Sequence, residues 1–161
     1  MSDKYNIVSR VSGDKNCVDM VANCIKIADR EGLEDDDVKV VVFDLDVVDR
    51  SDLEKAVSLA KEKNVLVMTS NLSFEIWLLM HLEDISRVYS QDDYEERLSQ
   101  TLEQKYKKSR GLTNKISMDS VTNAVRRGKR YLPNPDPLLC KQTPNTSTLW
   151  SLLSWIFDLK Q

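Results

Sequence analysis

Two aspartates two residues apart, Asp44 and Asp46, stand at the end of a run of valines, where a β-strand would present them together. On a strand, i and i+2 side chains turn to the same face. Two converging carboxylates offer the hard oxygen ligands that Mg²⁺ or Mn²⁺ takes while the ion keeps several waters. The same pair has a purely structural use, since aspartates commonly cap the turn or helix after a strand. Glu75 is a third carboxylate near such a sheet edge, in a helix's first turn, where the backbone dipole alone also favours it. His81 shares an apolar face with Trp77 and Leu78, as a satisfied core histidine or as an assisting acid-base group.

A second kind of chemistry is electrostatic. From Lys105 to Arg130 the chain carries Lys105, Lys107, Lys108, Arg110, Lys115, Arg126, Arg127, Lys129 and Arg130 against Asp119 alone, 9 − 1 = +8, within a total formal charge of −3. Lys and Arg at that density can replace counterions along a nucleic-acid backbone, RNA or DNA. A solvated helix face is the ordinary alternative. The acidic total excludes a generally basic nucleic-acid coat, so any such surface is local.

The elements that must hold these groups follow from periodicity. Residues 38–46 read as a buried strand, and valines at nearly every position of VKVVVF mark one covered on both faces, hence central. Ser51 followed by Glu54 is a capping box, and Leu53, Ala56, Val57 and Ala60 form the next helix's stripe. Residues 65–68 make a second buried strand. Strand, helix and strand with short links imply a right-handed parallel βαβ unit, whose sites lie at the carboxyl ends of the strands. Asp44 and Asp46 occupy that end, with Ser70 and Asn71 on the neighbour.

Upstream, residues 5–11 suggest a short strand and Gly13 a turn. Asn16 caps a helix bearing Val18, Val21, Ala22 and Ile25, with Gly32 at its C-cap. Downstream, Ser73 caps the helix of Phe74, Glu75, Trp77 and His81. Residues 91–109 and 118–131 read as amphipathic helices broken at Gly111, and Pro133, Pro135, Pro137 and Pro144 mark a loop. Asn145 or Thr146 then caps a final apolar helix over 147–159, far shorter than the roughly 20 residues that cross a bilayer. It reads as a docking helix with no membrane role. Trp150, Leu153 and Phe157 share one of its faces, with Trp155 to the side.

A chain of 161 residues, 41% apolar and 30% charged, has the size and composition of a single domain over 1–161, with an α/β core in 1–90 and a helical extension in 91–161. Cys17, Cys24 and Cys140 form no CxxC pair, which fits structural, reduced thiols in a cytoplasmic protein.

Read together, VVFDLD at 41–46, SNLSFEIWLLMHL at 70–82, KYKK at 105–108 and TPNTSTLWSLL at 143–153 resemble the RloB-like family. The resemblance keeps the family's order: a strand ending in an aspartate pair, an SNPxFELWLLLHF-like stretch, a Tyr- and Lys-rich helix and an NPxTxxxxLV-like helix. It implies a Toprim-like parallel β-sheet core flanked by helices, divalent-metal-dependent phosphodiester cleavage, a role in prokaryotic antiviral defence and an ATPase partner. Asp44 and Asp46 would match the metal-binding pair and Glu75 the glutamate of the FELW motif. His81 would assist if the helix turns it toward the sheet edge, and Lys105, Lys107, Lys108, Arg126, Arg127, Lys129 and Arg130 would hold phosphates. Two departures stand out. The family's EGxxTE-like segment, with its acidic residue, has no counterpart here, and Leu72 replaces a usual proline. The first departure opens a second reading, an inactive binding module acting through a protein partner or as a ligand sensor.

Overall fold

The computed structural model describes residues 7–11, 13, 16–34, 36–108 and 116–159. Along them run α1 (Cys17–Glu31), β1 (Lys39–Asp44), α2 (Arg50–Glu62), β2 (Val65–Asn71), α3 (Glu75–Leu82), α4 (Gln91–Thr101), α5 (Met118–Tyr131), α6 (Pro137–Gln142), β3 (Thr146–Ser147) and α7 (Leu149–Ile156). α1 is bounded by side-chain and backbone chemistry: Asn16 accepts from the Val18 N–H at 2.8 Å, and Gly32 ends the helix at φ 70°. Residues 7–11 and Gly13 are irregular. The rest of the expected first strand lies outside the described residues, as do Gly111, Arg110 and Lys115.

β1 and β2 pair in parallel from Lys39 opposite Val65 to Asp44 opposite Ser70, as the βαβ reading requires. β3 joins β2 antiparallel, with Ser70 opposite Ser147 and Asn71 opposite Thr146. The expected parallel sheet is therefore a mixed one, ordered β1-β2-β3. β2 is its centre and β1 an edge among the described residues, with Val41 and Phe43 buried and Val42 48% exposed. A valine run reports β-propensity without telling one covered face from two.

Helices cover both faces. Val41, Phe43 and Val65 pack with Leu53, Ala56 and Ala60 of α2, Val21 of α1 and Cys140 of α6. Met68 on the other face packs with Ile76, Trp77, Leu79 and Met80 of α3, Leu98 of α4, Val125 of α5 and Trp150 of α7. An Arg97–Glu83 pair with contacts of 2.6 and 2.7 Å ties α4 to the end of α3.

Three expected caps fall elsewhere. α2 begins at Arg50 behind Asp49, which makes no side-chain cap, and Glu54 instead pairs with Arg50 at 2.9 Å. α3 begins at Glu75, leaving the Ser73 hydroxyl buried without a hydrogen-bond partner. Asn145 and Thr146 precede α7 without capping it: Asn145 accepts from the Tyr94 hydroxyl at 2.7 Å, and Thr146 lies in β3. The 91–109 helix stops at Thr101, and the proline-rich loop contains α6, opened by Pro137 and capped by Asp136. Among the described residues no helix is long and apolar enough to cross a membrane.

α5 and α7 touch at Gly128. A β-carbon there would lie 2.7 Å from Trp150 Cβ and 2.9 Å from its Cδ1, while the indole N–H is held by the Leu132 carbonyl at 3.1 Å. Gly128→Ala gains about 1 kcal/mol of helix propensity. Overpacking against an anchored ring costs about 1–3 kcal/mol, so the clash is expected to win and urea unfolding to show a lower midpoint.

Candidate functional site

The strand register sets the site. The Leu45 N–H donates to both the Ser70 and Leu72 carbonyls, each at 3.0 Å, closing the end of β1 against the turn that leads into α3. Asp44 is thereby brought beside Glu75. Glu75 is 1% exposed, whereas the Asp44 side chain is 32% exposed. Lys108 stands between them, its Nζ 3.3 Å from Glu75 Oε1 and 4.0 Å from Asp44 Oδ2. The buried Tyr106 hydroxyl also donates to Glu75 Oε1, at 3.3 Å, while Glu75 Oε2 has no hydrogen-bond partner.

The two carboxylates differ electrostatically. Burial pushes the Asp44 carboxyl above its usual range, and the charges of Glu75 and Asp46 push the same way against Lys108 and the Phe74 N–H. Burial also opposes ionisation of Glu75. There it is outweighed by the adjacent Ser73 hydroxyl, which approaches without a well-formed hydrogen bond, by Glu75's own N–H and by Lys108, so its carboxyl falls below the usual range. Glu75 is the settled anion of the pair. Tyr106 is raised by burial and by the Glu75 charge, and stays a donor.

Asp46 does not join them. β1 ends at Asp44 and Leu45 is fully buried, so strand alternation does not extend to Asp46, which is exposed in the following turn. Both aspartates border an open depression of about 360 Å³, walled by Met20, Val42, Val47, Val48 and Phe74. Among the described residues no group of three or more His, Cys, Asp and Glu side chains is arranged to hold a metal. The three-carboxylate cluster of Asp44, Asp46 and Glu75 is thus reduced to a pair with Asp46 at the rim. That pair still fits Mg²⁺ or Mn²⁺ chemically, since Mg²⁺ is commonly held by one or two carboxylates and Glu75 keeps one oxygen unused.

His81 lies six residues beyond Glu75, roughly 9 Å along the helix axis. Its Nδ1 meets the Trp77 carbonyl at 2.9 Å, which puts the proton on that nitrogen, and its ring stands edge-on to Trp77 at 5.0 Å. It is built into the core away from the carboxylates.

The basic stretch divides between the two ends of α3. Lys108 is at the Glu75 end. Arg127 donates to the Met80 carbonyl at 2.7 Å and pairs with Asp84 at 2.8 Å, as does Arg130, so both close the other end. Arg126 is exposed and bonds Asn123, whereas Lys105, Lys107 and Lys129 are exposed with no ion pair among the described residues.

Two site residues carry no signal strong enough to single out in the sequence. Tyr106 lies within KYKK, where lysines dominate the reading. Lys141 donates from Nζ to the Leu45 carbonyl at 2.6 Å, steadying the turn between the two aspartates from 96 residues away. Leu72 follows a cis peptide bond after Asn71, at the position where the resemblance has proline.

Two stability measurements follow from these environments. The native Asp44 carboxyl holds its proton to higher pH than the unfolded one, so stability falls as pH rises through that window and ionised Asp44 is a cost at neutrality. Asp44→Asn is expected to raise Tm at pH 7, with the gain vanishing below the unfolded value of about 3.9. His81 is lowered by burial, with Arg127 acting the same way against the Trp77 carbonyl. The unfolded chain therefore binds the extra proton, and stability is full above about pH 6.5 and declines as pH falls below it. His81→Gln should flatten that decline in urea titrations between pH 7 and pH 5.

No curated protein and no solved structure matches the chain. A family model described as RloB-like protein matches residues 1–154, nearly the whole length and the whole of all four motifs. On that match, the chain that sets Asp44 against Glu75 belongs to the RloB-like family.

Proposed function

We propose that the protein is a Toprim-related, divalent-metal-dependent nuclease acting in the cytoplasm in antiviral defence. One observation carries this reading: a fully buried carboxylate, Glu75, keeps an unpartnered oxygen beside Asp44 at the carboxyl end of a parallel strand pair. A buried carboxylate oxygen that no protein group bonds well is available to a ligand.

In this reading Asp44 and Glu75 would hold Mg²⁺ or Mn²⁺. A bound divalent ion would polarise a phosphoryl oxygen and stabilise the charge that develops during phosphodiester cleavage. The chain's own groups do the rest. Tyr106 fixes Glu75 Oε1, and Lys141 fixes the turn that carries Asp46. Asp46, exposed at the rim, would orient the attacking water. The apolar depression beside it has room for a sugar and base. Exposed Lys105 and Lys107 would take flanking phosphates, with Arg126 and Lys129 on α5 extending the track. Arg127 and Arg130 are committed to Asp84 and contribute to shape more than to binding. An ATPase partner belongs to the same family-based reading.

The test is cleavage of RNA, tRNA and single- and double-stranded DNA with Mg²⁺ or Mn²⁺. Cleavage should stop with a chelator and fall roughly 10²-fold or more in Asp44→Ala and Glu75→Gln, with a smaller fall in Asp46→Ala. Equal cleavage by the Asp44 variant, or none by any form on any substrate, would overturn the nuclease and favour a binding module.

A further inference from the structure

We propose that Lys108 is the resident cation of this site: its ammonium occupies the place between Asp44 and Glu75 that a divalent ion would take, so metal entry requires Lys108 to leave. The inference rests on the metal-centre reading above and adds how that centre is filled at rest.

The contacts define the place. Lys108 Nζ lies 3.3 Å from Glu75 Oε1 and 4.0 Å from Asp44 Oδ2, making it the group common to both carboxylates. The burial is unequal. Glu75 is 1% exposed, whereas the Lys108 side chain is 64% exposed, so the ammonium reaches inward from solvent and can withdraw the same way. An ion pair with one partner so exposed is weakly held. A doubly charged ion between the same two anions feels twice the attraction, at the cost of stripping part of its water.

Lys108 is also tethered. Two residues before it, Tyr106 is 7% exposed and its hydroxyl shares Glu75 Oε1 at 3.3 Å. The backbone therefore stays docked when the lysine side chain moves. All of the contacts to Glu75 from this segment fall on Oε1, and Oε2 keeps no partner. That asymmetry suits an exchange: Lys108 holds only Oε1, so Glu75 would keep its second oxygen for a divalent ion once the ammonium withdraws. Once displaced, the ammonium remains at the mouth of the site, where an anionic phosphate is its natural partner.

The full-length chain is titrated with Mn²⁺ in the absence of nucleic acid, with binding followed by calorimetry and by the loss of the free-ion paramagnetic resonance signal. Lys108→Met keeps the length of the side chain and removes the charge. It is expected to bind Mn²⁺ about tenfold more tightly than the unsubstituted protein, while Lys107→Met on the same segment changes little. Adding Glu75→Gln to Lys108→Met should abolish the gain. Affinity unchanged by Lys108→Met, an equal gain from Lys107→Met, or no Mn²⁺ binding by any form overturns the proposal. Thermal unfolding of each variant guards against misfolding: each should keep one cooperative transition, with Tm lowered in Lys108→Met because the buried Glu75 loses the cation beside it. The outcomes separate from those of the nuclease test. Tighter Mn²⁺ binding without cleavage upholds Lys108 and rejects the nuclease, and cleavage with unchanged Mn²⁺ affinity does the reverse.

Discussion

A single backbone N–H, that of Leu45, is shared between the carbonyls of Ser70 and Leu72. Through it the end of β1 is locked to the turn that opens α3, beside which Asp44 and Glu75 meet. The turn is itself held from behind. The Thr69 N–H donates to the Thr148 hydroxyl at 2.8 Å, and the Thr148 N–H returns a bond to the Thr69 carbonyl at 2.9 Å. The Asn71 amide donates to the carbonyls of Cys140, Lys141 and Thr143. These paired backbone and amide groups rigidify the scaffold around the carboxylates, although the Thr69 and Ser73 hydroxyls stay unpartnered.

Within that surround the acidic pair is held in an unfavourable arrangement, beside the unpartnered hydroxyls of Thr69 and Ser73. Asp44 is held where ionisation is disfavoured, and Glu75 is ionised but half-satisfied. A core selected for stability alone would replace either with an apolar residue of similar volume. Retaining both is the pattern expected where stability is traded for a site.

Much of this architecture is legible in the residues, for definite reasons. α1 and α5 follow from 3.6-residue periodicity, framed in α1 by Asn16 and Gly32. β1, α2 and β2 follow from apolar runs and short links. What escapes is whatever depends on partners distant in sequence. Thr146 has cap-like chemistry, yet it enters β3 opposite Asn71 and its hydroxyl donates to the Thr143 carbonyl, while the neighbouring Ser147 hydroxyl meets that of Ser70. Asp46 follows the strand rule only if the strand continues, and Leu45 turning inward ends it. The basic run looks continuous along the chain, but Asp84 draws Arg127 and Arg130 to one end of α3 while Glu75 draws Lys108 to the other. Asp44 and Glu75 themselves were recognisable from motif context, whereas the lysine between them was legible only as one positive charge among several.

The two-residue strand β3 has a consequence for the order in which the molecule comes into being. The bonds of its Ser147 hydroxyl to Ser70 and Thr69 span 77 and 78 residues, among the longest loop closures in the fold. During synthesis from the N-terminus, β1, α2 and β2 emerge early, with the centre strand's far edge open and Asp44 and Glu75 already encoded. The segment that closes that edge, and Lys141 that steadies the aspartate turn, arrive some 70 residues or more later. A chain still on the ribosome therefore carries the acidic pair without its frame, and the site matures as one of the last events of folding.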